Sequence, residues 1–186
     1  MKSKMVLAVI TLICTITIGV GATLAYFISK SGPVTNTFTV GEVKITLTET
    51  LGRTTPLIPG TTVKKDPTVT VKAGSEDCYL FVQLAHDGDH EAHVFYEIAE
   101  GWTLLGSFPG VYYREVDKSG SDQSFGVLKD NQVTIDSYLT KEKMAEIHAD
   151  HGGLVITAYA VQSFGMESAS DGWYKLLNEI NKTIGE

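Results

Sequence analysis

Two stretches of the chain are apolar on both parities, and most others alternate. Cys78 to Ala85 and Leu154 to Gln162 carry apolar side chains at odd and even positions alike, the pattern of a strand covered on two faces. Phe38 and Val40 alternate with threonines, and after Gly41 the residues Val43, Ile45 and Leu47 alternate with Glu42, Lys44, Thr46 and Thr48. Alternation turns one face to the core and the other to water. The apolar set slips by one position at Gly41, and a one-residue slip turns a strand over, so a β-bulge is expected there. Shorter strands are expected at Pro67–Lys72, Val94–Ile98, Val111–Val116 and Val133–Ile135. Leu51 to Gly60, with its glycines and prolines, reads as a loop.

Two segments have helical rather than strand character. Lys141 to Ala149 is polar on most sides. Near the C-terminus, Trp173, Leu176, Leu177, Ile180 and Ile184 fall on one stripe, which suits a helix docked on a core. Ser168 or Ser170 can cap its start, Asp171 favours its N-terminal dipole, and Gly185 suits its stop. Seven or eight short strands with turns every 8–12 residues predict an all-β fold, an antiparallel β-sandwich with one or two short peripheral helices. Spacing alone does not separate a jelly roll from an immunoglobulin-like sandwich.

The first residues have a different character. Lys2 and Lys4 precede an apolar run from Val6 to Val20, and small residues follow, the order of a secretory signal peptide. Ala25 at −1 and Thr23 at −3 suit cleavage before Tyr26. The alternative is an uncleaved anchor, because Met5 to Phe27 is long enough to span a bilayer. Cys14 follows Leu12 and Ile13 rather than small residues, so lipid attachment is not expected. Three regions result: a signal peptide over 1–25, an N-terminal arm over 26–37, and a β-sandwich domain with a C-terminal helix over 38–186.

Cleavage leaves 161 of the 186 residues and one cysteine, Cys78, so the core must stabilise the domain without an internal disulfide. A chain of that size buries enough surface to do so. The mature chain holds 13 basic and 22 acidic residues, a formal charge of −9. Such a charge argues against nucleic acid or an anionic membrane as partner.

Several motifs share an order with a known family. Thr23-Leu24-Ala25-Tyr26-Phe27, Asn36-Thr37-Phe38-Thr39-Val40-Gly41 and Val43-Lys44-Ile45-Thr46-Leu47 open the series. Pro59-Gly60, Lys65-Asp66-Pro67, Cys78-Tyr79-Leu80, Gly101-Trp102 and Val111-Tyr112-Tyr113-Arg114 continue it, and Ile156 to Gln162 closes it. Together they resemble the TasA/camelysin family of exported proteins of Gram-positive bacteria, over most of the chain. The resemblance implies a jelly-roll arrangement, maturation by a dedicated signal peptidase of the SipW type, and secretion to the cell surface or biofilm matrix. It also implies a fibre subunit whose partners are copies of itself or related subunits. In that arrangement the arm, with Phe27, Ile28 and Val34 as its apolar residues, adds as a strand to a neighbouring domain. The camelysin branch further implies a zinc metallopeptidase as an alternative, and the uncleaved anchor implies a cell-surface binding module.

Candidate chemistry is confined to histidine and acidic loops. All five histidines fall in two clusters, His86 to His93 and His148 to His151. Imidazole with carboxylate suits zinc, which makes His86, Asp89, His90, His93, His148 and His151 the candidate ligands. No His-Glu-x-x-His motif is present, and His90-Glu91-Ala92-His93 spaces its histidines three apart, so no peptidase site is expected. Glu49, Asp66, Asp77, Asp87, Asp89, Asp117 and Asp122 are loop acids with affinity for calcium, without a calcium loop of the usual spacing. No nucleophile elbow or phosphate-binding glycine loop is present, and Cys78 reads as a small core residue. Trp102, Tyr112, Tyr113, Tyr159 and Trp173 suit either the core or a carbohydrate or peptide groove.

Overall fold

The computed structural model describes residues 36–40, 42–50, 58–86, 93–140 and 154–184. They form an all-β sandwich with one helix. The first layer is a five-stranded sheet in the order β1-β11-β5-β8-β7. Its members are β1 (Asn36–Val40), β11 (Leu154–Gln162), β5 (Cys78–His86), β8 (Val111–Val116) and β7 (Thr103–Leu104). The β11–β5, β5–β8 and β8–β7 pairs are antiparallel, and β1 lies parallel to β11.

The second layer comprises two three-stranded sheets, β2-β4-β9 and β3-β10-β6. Their strands are β2 (Ile45–Thr48), β3 (Thr62–Lys64), β4 (Thr68–Val71), β6 (Val94–Phe95), β9 (Gln123–Gly126) and β10 (Gln132–Ile135). The two sheets run into each other. β3 passes into β4 and β9 into β10, and between them the Lys65 N–H donates to the Asn131 carbonyl (2.8 Å) and the Val127 N–H to that of Pro67 (3.0 Å). The expected strand Val94–Ile98 is thus present as β6 followed by a single bridge from Ile98 to Leu128.

The doubly apolar stretches are explained by two cores. Cys78, Leu80, Val82 and Leu84 of β5, with Ile156, Ala158 and Ala160 of β11, face Val43, Ile45, Leu47, Val69, Val71, Val133 and Ile135 across the sandwich. The opposite parity, Tyr79, Phe81, Tyr159 and Val161, lies under the C-terminal helix α1 (Ala169–Ile184). Trp173 and Leu176 of α1 are buried against that face, and Leu177 and Ile180 are partly buried. Phe81 and Tyr159 hold the Trp173 indole at centroid distances of 5.3 and 5.1 Å, the latter edge-on. Ser168 caps the helix, its Oγ accepting the Asp171 N–H at 3.3 Å. A central strand with both faces covered has no solvent parity, so β5 and β11 lose the alternation that the other strands keep.

On either side of the bulge expected at Gly41 the chain changes sheets. Gly41 itself lies outside the described residues, but β1 and β2 on either side belong to different layers. The chain leaves the five-stranded sheet after Val40 and enters the facing one at Ile45. A strand that changes sheets must re-aim its apolar side chains, and the slip records that crossing. The expected helix at Lys141–Ala149 and the stop at Gly185 lie outside the described residues.

Two turns depend on glycine. Gly110, with φ +77°, precedes β8, and a Cβ there would stand 2.7 Å from the Leu84 carbonyl oxygen. The Gly110 carbonyl in turn accepts the Leu84 N–H at 2.8 Å. Gly101 has φ +84°, and its added Cβ would lie 2.6 Å from Arg114 Nη2.

Candidate functional site

The feature with the clearest functional content is the edge at β1. Asn36 to Val40 pair with Thr157 to Val161 in register, and β1 has no second hydrogen-bonded neighbour among the described residues. Its five residues cover the C-terminal part of a nine-residue partner. Leu154 to Ile156 pair with β5 alone among the described residues, and Val155 is 39% exposed. Parallel pairing is somewhat weaker per residue than antiparallel pairing, and a terminal strand is held from one side. The last two residues of the arm, Asn36 and Thr37, are part of β1. Ala25, Tyr26, Phe27, Ile28 and Val34 lie outside the described residues.

The histidine candidates divide. His86 closes β5 in register with Leu154, the first residue of β11. The loop after His86 therefore leaves the sheet beside the point where the chain re-enters it after His151. Asp89, His90, His148 and His151 lie outside the described residues, as does the side chain of His86. His93 is described: its Nδ1 is 3.3 Å from Asp136 Oδ2, while the Asp136 N–H donates to the His93 carbonyl at 2.9 Å. Asp136 Oδ1 also accepts the Tyr138 N–H at 3.0 Å. That amide, and to a smaller extent His93, hold the Asp136 carboxyl below the ordinary carboxylate range, against burial acting the other way. Among the described residues no group of three or more His, Cys, Asp or Glu side chains is placed to hold a metal ion.

The loop acids act as separate clamps. Buried Glu49 accepts from Lys65 Nζ at 2.7 Å, and Asp66 accepts the Thr50 N–H at 2.9 Å. Asp77 accepts the Lys118 N–H, and Asp122 accepts the Ala73 N–H and pairs with Lys72. The Asp117 backbone carbonyl accepts from Gln123. Asp87 and Asp89 lie outside the described residues. Cys78 is buried, and burial with neighbouring Asp77 pushes its thiol up to about 12. It is therefore a core residue without thiolate character near neutral pH.

The five aromatics do not share a groove. Tyr159 and Trp173 are buried under the helix, with Tyr113 partly buried beside them, whereas Trp102 and Tyr112 pack on the inter-sheet core. What the sequence pattern concealed is the partner of Trp102. Arg114 shares a parity with Tyr112 and Val116, which pack on the inter-sheet core. Its guanidinium stacks on Phe125 of β9, and on Trp102 with 5.3 Å to the ring centroid. The Trp102 indole N–H donates to the Gly126 carbonyl at 2.8 Å. The parity was legible, but an arginine at an inward position reads as an error of phase until its aromatic partners are known.

No helix of the described residues is long and apolar enough to cross a membrane. The chain matches no protein-family model, no curated protein and no solved structure.

Proposed function

We infer that this chain is a secreted structural subunit of an extracellular fibre or biofilm matrix, assembling by N-terminal strand addition in the manner of the TasA/camelysin family it resembles. The observation that carries this is β1: a short parallel edge strand, paired on one side, that directly continues the N-terminal arm.

Release of β1 uncovers β11, whose nine residues offer a full row of backbone donors and acceptors. A strand from another copy can then pair there by β-augmentation. The arm Tyr26–Thr37 spans about 40 Å when extended at roughly 3.3 Å per residue, enough to bridge two copies. Continuing the register backwards from Asn36 sets Val34 opposite Val155, so an arm added in this register brings a further apolar residue to β11. Each subunit then gives a strand to one neighbour and receives one from the other. Such a head-to-tail contact need not close, and open repetition yields a filament. Maturation by a signal peptidase before Tyr26 makes the arm free.

The test compares protein beginning at Tyr26 with protein beginning at Phe38 by negative-stain electron microscopy and light scattering. Filaments from the first and a lasting monomer from the second are expected. Filaments from the shortened form, or a lasting monomer from the longer one at acidic and neutral pH, would refute strand addition.

A further inference from the structure

The outer face of the second layer carries an aromatic ring that packing does not explain. In β10, Val133 and Ile135 turn inward, while Thr134 is exposed and Gln132 half-exposed. Across the ladder Phe95 stands opposite Thr134 and is 52% exposed. On the other side, Thr62 Oγ1 lies 3.3 Å from Thr134 Oγ1. The residue paired with Phe95 across the ladder thus carries a hydroxyl group. The exposure of the phenyl leaves apolar area in water that an inward residue would have buried.

Beside this ring is a cavity of about 170 Å³ lined by Phe95, Glu97, Lys129, Asp130, Gln132 and Thr134. Asp130, on its lining, and the following Asn131 take φ of 54° and 52°, a turn conformation that aspartate and asparagine adopt more readily than other non-glycine residues. Lys129 and Glu97 neutralise each other in an ion pair at one wall.

We propose that this face binds a neutral saccharide chain. The phenyl of Phe95 offers a flat apolar platform for the C–H face of a pyranose ring. Thr134, Gln132 and Asp130 supply the donors and acceptors that hydroxyl groups require. This is the composition of a small-ligand site, an aromatic wall with a few polar groups that fix orientation. Two carboxylates against one ammonium disfavour a polyanion, and the Lys129–Glu97 pair leaves Asp130 to accept from the hydroxyl groups of a neutral ligand.

The test is calorimetric titration of the full mature protein with cellohexaose, chitohexaose and mannohexaose. Binding of at least one is expected, weakened tenfold or more by Phe95→Ala and reduced by Gln132→Ala. Phe164→Ala, which removes an 88% exposed aromatic far along the chain, leaves it unchanged. Circular dichroism checks that each variant keeps the wild-type fold. Absence of binding to all three sugars at millimolar concentration would overturn the proposal. So would Phe95→Ala and Gln132→Ala proteins that both bind like wild type, or a Phe164→Ala protein weakened as much as Phe95→Ala.

Discussion

The guanidinium of Arg114 lies 3.9 Å from the centroid of the Phe125 ring, joining β8 of one layer to β9 of the other. Its Nε is buried without a hydrogen-bond partner. A cation–π contact contributes about 0.5–2 kcal/mol, and a buried unsatisfied donor costs about 1–3 kcal/mol. The two nearly cancel, so the stem's packing decides the outcome of a substitution. Arg114→Met, which keeps the stem, is expected to change unfolding free energy by less than about 1 kcal/mol. Arg114→Ala, which loses that packing, is expected to cost about 2 kcal/mol or more. Urea denaturation measures both, and equal losses would show that the charge, not the stem, holds the edge.

The helix side of the molecule rests on Trp173, which is 2% exposed and whose indole N–H has no partner. Trp173→Ala is expected to cost about 3–5 kcal/mol through lost burial and the cavity left behind. Trp173→Phe gives up no hydrogen bond and is expected to cost markedly less. If the two cost the same, the indole N–H has a partner that matters.

Much of this arrangement was legible before folding. The two doubly apolar stretches became the central strands β11 and β5, and the 173–180 stripe became the face of α1 that covers them. Three short strands were harder to read: β3, β7 and β9 hold two to four residues each, with one or two apolar side chains at most. Their pairing comes from neighbours distant in sequence, which no local period records. For the same reason the slip at Gly41 does not announce the change of sheet between β1 and β2, since a one-dimensional pattern cannot tell a strand that turns over from one that changes sheets. The site was less legible than the fold, because the parallel placement of β1 and the exposure of Phe95 are both consequences of tertiary pairing.

Cys78 reports on the native state. Its folded pKa of about 12 lies above the unfolded value of about 8.5. A raised folded pKa stabilises the domain fully below the unfolded value, and that contribution is lost as pH rises towards the folded one. Stability is therefore expected to fall from about pH 8.5 upward, by roughly 1.4 kcal/mol per unit from this group. A Cys78→Ala variant is expected to show a correspondingly flatter alkaline profile. Native protein at pH 8 is expected not to react with a thiol-specific disulfide reagent until denaturant unfolds it, and rapid native labelling would contradict the buried placement.

In the proposed assembly, β11 receives β1 from its own chain in the monomer and from another copy in the fibre. Asn36 and Thr157 are paired residues across that edge. Mature protein carrying Asn36→Cys and Thr157→Cys, oxidised before and after assembly, reads the origin of the strand directly. Buried Cys78 stays out of the exchange. Non-reducing electrophoresis is expected to show an internally bridged monomer before assembly and a ladder of covalent multimers from filaments. Filaments that yield monomer alone would contradict the account, because each β11 would then have kept its own strand.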